Sequence, residues 1–133
     1  MDRPKLISST PLFVVSDLKR SLEFYIHGLG FGEPGVWGDP PCFAMAHRDG
    51  FELMLSLATE PGRVRPNGPT GVWDAYFRVS DLAAEKAALD AAGIPCDDRP
   101  EVTEYNMIEL EVVDPDGYRI CFGQDVPGGK GHE

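Results

Sequence analysis

The residues able to do chemistry are few and poorly clustered. Of the three histidines, His27 falls near the end of an expected helix, His47 in an expected turn and His132 near the C-terminus, so none is expected on a strand at a place that could ligate a metal. Cys42, Cys96 and Cys121 are odd in number and lack C-x-x-C spacing, which argues against a disulfide framework and a structural zinc site. Cys121 could act as a nucleophile only with a base to make its thiolate; no histidine is placed near it, and it reads as a packed thiol. There is no G-x-S-x-G elbow and no recognisable Ser-His-Asp arrangement. Carboxylates and flat rings remain: Glu52, Asp74, Glu109 and Glu111, with Trp37, Trp73 and Tyr76. Carboxylates suit a cationic guest and aromatic faces a planar one, which is the chemistry of binding.

The elements that must position these groups repeat. Phe-x-Val-Ser-Asp-Leu occurs at 13–18 and again at 77–82, and Asp49-Gly50-Phe51-Glu52-Leu53-Met54-Leu55 is echoed by Asp116-Gly117-Tyr118-Arg119-Ile120-Cys121-Phe122. Each copy opens with a β-branched and aromatic strand and continues through Ser-Asp, whose side chain can take an unpaired amide of a first helical turn. Leu18, Leu22, Tyr25, Ile26 and Leu29 follow helical spacing up to Gly30; Leu82, Ala84, Ala88, Leu89 and Ala92 do so up to Gly93 and Pro95. Short strands and Asp-Gly turns fill the rest, giving the order β-α-β-β-β twice. Module one is expected at about 6–57 and module two at about 72–125, within a single domain over 1–133. The linker 58–71 is rich in Pro and Gly and reads as a connector or lid loop, and the tail 126–133 has no core-forming pattern and is expected to be mobile.

Composition narrows the classes. The formal net charge is −10, and the basic residues are scattered, so a nucleic-acid partner is not expected. No apolar run approaches membrane-spanning length and the first residues do not read as a secretion signal, so a cytoplasmic protein without membrane contact is expected.

The strand before Ser-Asp-Leu, Phe24-Tyr25 inside the helix, Leu29-Gly30-Phe31 at its end and Asp114-Pro115-Asp116-Gly117-Tyr118 before the last strand, in this order, resemble the vicinal oxygen chelate superfamily of glyoxalase, bleomycin-resistance and extradiol-dioxygenase proteins. The resemblance covers nearly the whole chain. It implies an α+β fold in which two tandem β-α-β-β-β modules form a cupped, eight-stranded mixed sheet with helices outside and a ligand cavity inside. Metal-using members hold a cation from four places, occupied here by Thr10, Met54, Asp74 and Cys121. A neutral hydroxyl, a thioether, one carboxylate and a thiol are a poor set for Mn, Ni or Fe, so no metal cofactor is expected. A register shift could bring in Glu52.

On this resemblance the pocket is lined by Thr10, Leu12, Glu52, Met54, Asp74, Tyr76, Arg78, Arg119 and Cys121, with Trp37 and Trp73 at its mouth. Asp74 is expected to face Arg78, a water or a ligand donor. Either face of the strand 107–113, the Glu109 and Glu111 face or the Ile108, Leu110 and Val112 face, could line the cup. The leading expectation is a metal-free small-molecule binder similar to the bleomycin-resistance branch, sequestering a cationic or planar antibiotic and forming a homodimer. The alternative is a metal-dependent glyoxalase-like lyase or isomerase, or a dioxygenase.

Overall fold

A computed structural model describes residues 2–68, 71–99 and 102–126. Module one runs β1 (Leu12–Val15), α1 (Leu18–Glu23), a π-helical turn (Phe24–Gly28), β2 (Gly32–Trp37), β3 (Phe43–Arg48) and β4 (Phe51–Leu57). Module two runs β5 (Ala75–Arg78), α2 (Leu82–Ala91), β6 (Asp97–Arg99), β7 (Met107–Val113) and β8 (Arg119–Asp125). The α+β class and the twofold β-α-β-β-β order match the sequence pattern. The expected tail from Pro127 onward lies outside the described residues.

The helix starts form as the Ser-Asp signal predicts, with Asp as the cap. The Asp17 carboxylate accepts from the Arg20 amide at 3.1 Å and that of Asp81 from the Ala84 amide at 3.0 Å. α1 widens into the π turn, where the Leu29 amide reaches back five residues to the Phe24 carbonyl at 3.0 Å. Tyr25 and Leu29 both end fully buried there. The β3–β4 hairpin turns at Asp49 and Gly50, both at positive φ (52° and 83°), which is the backbone a two-residue turn between twisted strands requires.

Each module makes its own four-stranded sheet, in the orders β1-β4-β3-β2 and β5-β8-β7-β6, with β1 parallel to β4 and β5 parallel to β8. The eight strands are thus divided into two ladders. Phe13, Val15, Ala44, Ala46, Leu53 and Leu55 of sheet one share one core with Leu110, Val112, Ile120 and Phe122 of sheet two. These are the faces that carry α1 and α2.

The helix-bearing faces meet each other. Arg48, at the end of β3, binds Glu85 of α2 and sits over the Phe122 ring of β8, 5.9 Å to its centroid. Were the sheets joined edge to edge through β1 and β5, four strand spacings would separate β3 from β8, about 19 Å. An arginine side chain cannot span that. Phe13 stacks on Tyr118 at 4.6 Å, Tyr25 Oη donates to Asp114 at 2.8 Å, and Tyr118 Oη donates to the Val14 carbonyl at 2.6 Å. The Asp-Pro-Asp-Gly-Tyr segment therefore fastens module two to module one. Within one chain the helices lie between the sheets, and each sheet turns its other face outward.

Candidate functional site

The outward face of sheet one carries Leu12, Val14, Phe43, Met45, His47, Glu52, Met54 and Ser56, by strand alternation from the buried set. Leu12 and Met45 both flank Met54 in register, and Trp37 leans on Phe43 with ring centroids 5.7 Å apart. Leu12 is 49% exposed and Trp37 52%, so this apolar wall is open. Glu52 pairs across the hairpin with His47 at 3.2 Å. Thr10 precedes β1 and is half-buried.

The outward face of sheet two is acidic and aromatic. Tyr76, Met107, Glu109, Glu111, Arg119, Cys121 and Gly123 share it: Tyr76 and Glu111 flank Cys121, and Glu109 is opposite Gly123. This settles the strand 107–113. Leu110 and Val112 turn to the helices and both glutamates turn outward, yet Glu109 is only 3% and Glu111 6% exposed. Glu111 is held by Arg119, with Nε at 2.7 Å and a terminal nitrogen at 2.6 Å. Glu109 Oε2 accepts from Tyr76 Oη at 2.8 Å and from Tyr105 Oη at 2.5 Å. Burial, then the hydrogen bond to Glu109, raises both phenols; Tyr105 is pushed up to about 12, and both remain donors at neutral pH. Trp73 meets the Tyr76 ring edge-on at 5.0 Å.

One expectation about the charged groups is corrected. Asp74 does not face Arg78: its oxygens accept from the backbone amides of Asn67 at 2.7 Å and Arg119 at 2.8 Å, so it ties the linker to the start of β8. Those amides would otherwise lack partners, which is why a carboxylate sits there. Arg78 instead pairs with Asp125. Cys121 is buried beside Tyr76, with no histidine paired to it in register.

The structure brings Leu12, Glu52 and Met54 together on one face, and Tyr76, Arg78, Arg119 and Cys121 together on another. It does not bring the two sets together within a chain, because the helix-bearing faces lie between them. The same separation divides Thr10 and Met54 from Asp74 and Cys121, and both Asp74 oxygens are engaged by amides. These four donors do not fit a hard divalent cation, and among the described residues no group of three or more His, Cys, Asp or Glu is placed to hold one. Cavities among the described residues include a groove of about 670 Å³ along α1 lined by Leu18, Leu22, Ile26 and Val36, and a cleft of about 390 Å³ between the modules beside Arg48 and Glu85.

Tyr105 and Gly123 were not singled out from the sequence. Tyr105 lies between strands, where no periodicity marks it. The face of Glu109 was legible, however: the Asp-Pro-Asp-Gly turn sets Val113 opposite Arg119 and so Glu111 opposite Cys121, one of the four resemblance-derived places.

Two β-α-β-β-β modules, each with a sheet face turned outward, define the class of paired-module proteins. The chain belongs to the Glyoxalase/Bleomycin resistance protein/Dioxygenase superfamily, whose family profile matches residues 9–122. Among solved structures it is similar to TnmS3, an antibiotic binding protein from Streptomyces sp. CB03234, at 26% identity and a TM-score of 0.64, covering 92% of this chain and 99% of that one. It is similar to a bleomycin-binding protein complexed with bleomycin at 22% identity and a TM-score of 0.70, covering 90% and 99%. A putative glyoxalase family protein from Bacillus anthracis matches at 17% identity and a TM-score of 0.73, covering 94% and 99%. No curated protein sequence matches significantly. No helix among the described residues is long and apolar enough to cross a membrane.

Proposed function

We propose that this protein is a metal-free cytoplasmic receptor that sequesters a cationic or planar small molecule such as an antibiotic, and that it works as a homodimer. The observation that carries the reading is the outward placement of two unlike half-cups on one chain. Sheet one offers aliphatic, thioether and indole surface; sheet two offers rings and buried carboxylates. Facing module one of one copy with module two of another makes a cup with an apolar wall and an acidic, aromatic wall, and a twofold axis makes two such cups.

Binding in such a cup needs no bond-breaking group. A flat guest stacks between rings, its cationic end lies toward Glu109 and Glu111, and closure by the second copy excludes water and strengthens both contacts. The likeness to an antibiotic binding protein and to a bleomycin-binding protein supports this choice among the superfamily's functions. The glyoxalase-like and dioxygenase alternative requires a Lewis acid, for which the donors at the four places are unsuited.

Calorimetric titration with bleomycin- and mitomycin-class compounds tests the receptor, and light scattering after size exclusion tests the dimer. Saturable heat with one ligand per cup and a dimeric mass are expected. Absence of saturable heat at high micromolar ligand, or a stoichiometric divalent ion in protein purified without chelator, would overturn the proposal.

A further inference from the structure

Sheet two sets two phenols on one carboxylate and a third ring against one of the phenols. Tyr76 and Tyr105 donate to the same oxygen of Glu109, and Trp73 abuts Tyr76. Tyr76 lies across Gly123, the strand position opposite Glu109, while Tyr105 is 43% exposed. Among the described residues Glu109 has no ion pair: Arg119 is engaged by Glu111 and Arg78 by Asp125. The cluster therefore sets partly exposed aromatic rings beside a nearly buried carboxylate.

The hydrogen-bonding pattern selects the kind of cation. A primary ammonium carries three N–H donors and seeks several acceptor oxygens, whereas Oε2 already accepts two phenols and only Oε1 of this carboxylate is left to accept. A quaternary alkylammonium has no donor to satisfy and needs only π faces and a negative charge nearby. We infer that Trp73, Tyr76 and Tyr105, backed by Glu109, form a subsite for a methylated alkylammonium group on the guest. Glu109 acts here as a positioning residue, holding both rings by their hydroxyls and supplying the charge. The inference rests on the receptor reading above and narrows its guest.

The test uses choline and 3,3-dimethylbutan-1-ol, which share shape and hydroxyl and differ in charge, titrated into the isotopically labelled full chain by NMR. Choline is expected to shift the Tyr76, Tyr105 and Trp73 ring signals and to bind about tenfold tighter than the alcohol. Glu109→Gln, which keeps an acceptor oxygen, should remove most of that preference by weakening choline far more than the alcohol, an effect that general loosening would not produce. Tyr105→Leu, at an exposed ring, should weaken choline binding and covers the case in which Glu109→Gln does not fold. Equal titration of the two guests at these rings overturns the ammonium subsite and leaves the receptor standing. Absence of any shift while bleomycin-class compounds still bind overturns the subsite alone.

Discussion

Gly123→Ala is a small change with a large expected effect. A Cβ built at this position would lie 2.0 Å from Tyr76 Oη, 2.6 Å from Tyr76 Cζ and 3.0 Å from Met107 Cε. The methionine end can move aside; the ring cannot stay. Overpacking of this kind costs ~1–3 kcal/mol. If the ring leaves instead, Glu109 loses one of its two phenol donors, and a hydrogen bond to a charged group contributes ~1.5–3 kcal/mol. Alanine recovers ~0.5 kcal/mol over glycine within a strand. The net expectation is a loss of about 2 kcal/mol, or roughly 6–10 °C in melting temperature for a domain of this size. Urea denaturation of wild type, Gly123→Ala, Tyr76→Ala and the double variant gives the coupling directly. With the ring removed, alanine at 123 should be nearly neutral. A neutral Gly123→Ala in the wild type, or the same cost in both backgrounds, would refute the idea that the ring's seat requires glycine.

Arg48→Ala should destabilise by about 2 kcal/mol by stranding the buried Glu85 carboxylate at the module contact, discounted because Arg48 is partly exposed; Arg48→Met with Glu85→Leu should recover much of it in urea denaturation. Asp74→Ala should cost ~1–3 kcal/mol, by leaving the Asn67 and Arg119 amides without their acceptor, yet leave bleomycin-class affinity within about twofold by calorimetry. Burial raises the Asp114 carboxyl above its ordinary 3.8, opposed by hydrogen bonds from Tyr25, Tyr118 and Asp116. A raised folded-state value means the folded chain holds the proton more tightly, so this contribution is present below 3.8 and is lost as pH rises through the folded value. The stability difference between wild type and Asp114→Asn, from urea midpoints over pH 3–7, should therefore shift against wild type with rising pH; a flat difference would contradict it.

What was legible in the sequence is what local chemistry decides. Ser-Asp before an apolar stripe places both helix caps because an aspartate there takes a first-turn amide whatever the surroundings. Asp49-Gly50 places a hairpin because a two-residue turn needs positive φ. The repeated module followed, and with it the resemblance. What was not legible depends on partners distant in the chain. Asp74 looks like a pocket carboxylate until the linker amide of Asn67 and the strand amide of Arg119 close on it. Tyr105 lies in a segment with no period, and only the folded β7 strand puts its hydroxyl on Glu109.

The relation between the modules is the least local property of all, and the most consequential. Each sheet has two faces, and a chain of this length has one core in which to bury them. Spending the helix-bearing faces on each other leaves Leu12, Met54 and Trp37 outward on one side and the Tyr76–Glu109 cluster outward on the other. Buried charge beside partly exposed aromatic rings is a poor surface to leave in water and a good wall for a cationic guest. On the proposed assembly, neither wall is complete without the other copy, so guest binding and dimer formation draw on the same surfaces and each must strengthen the other by linkage.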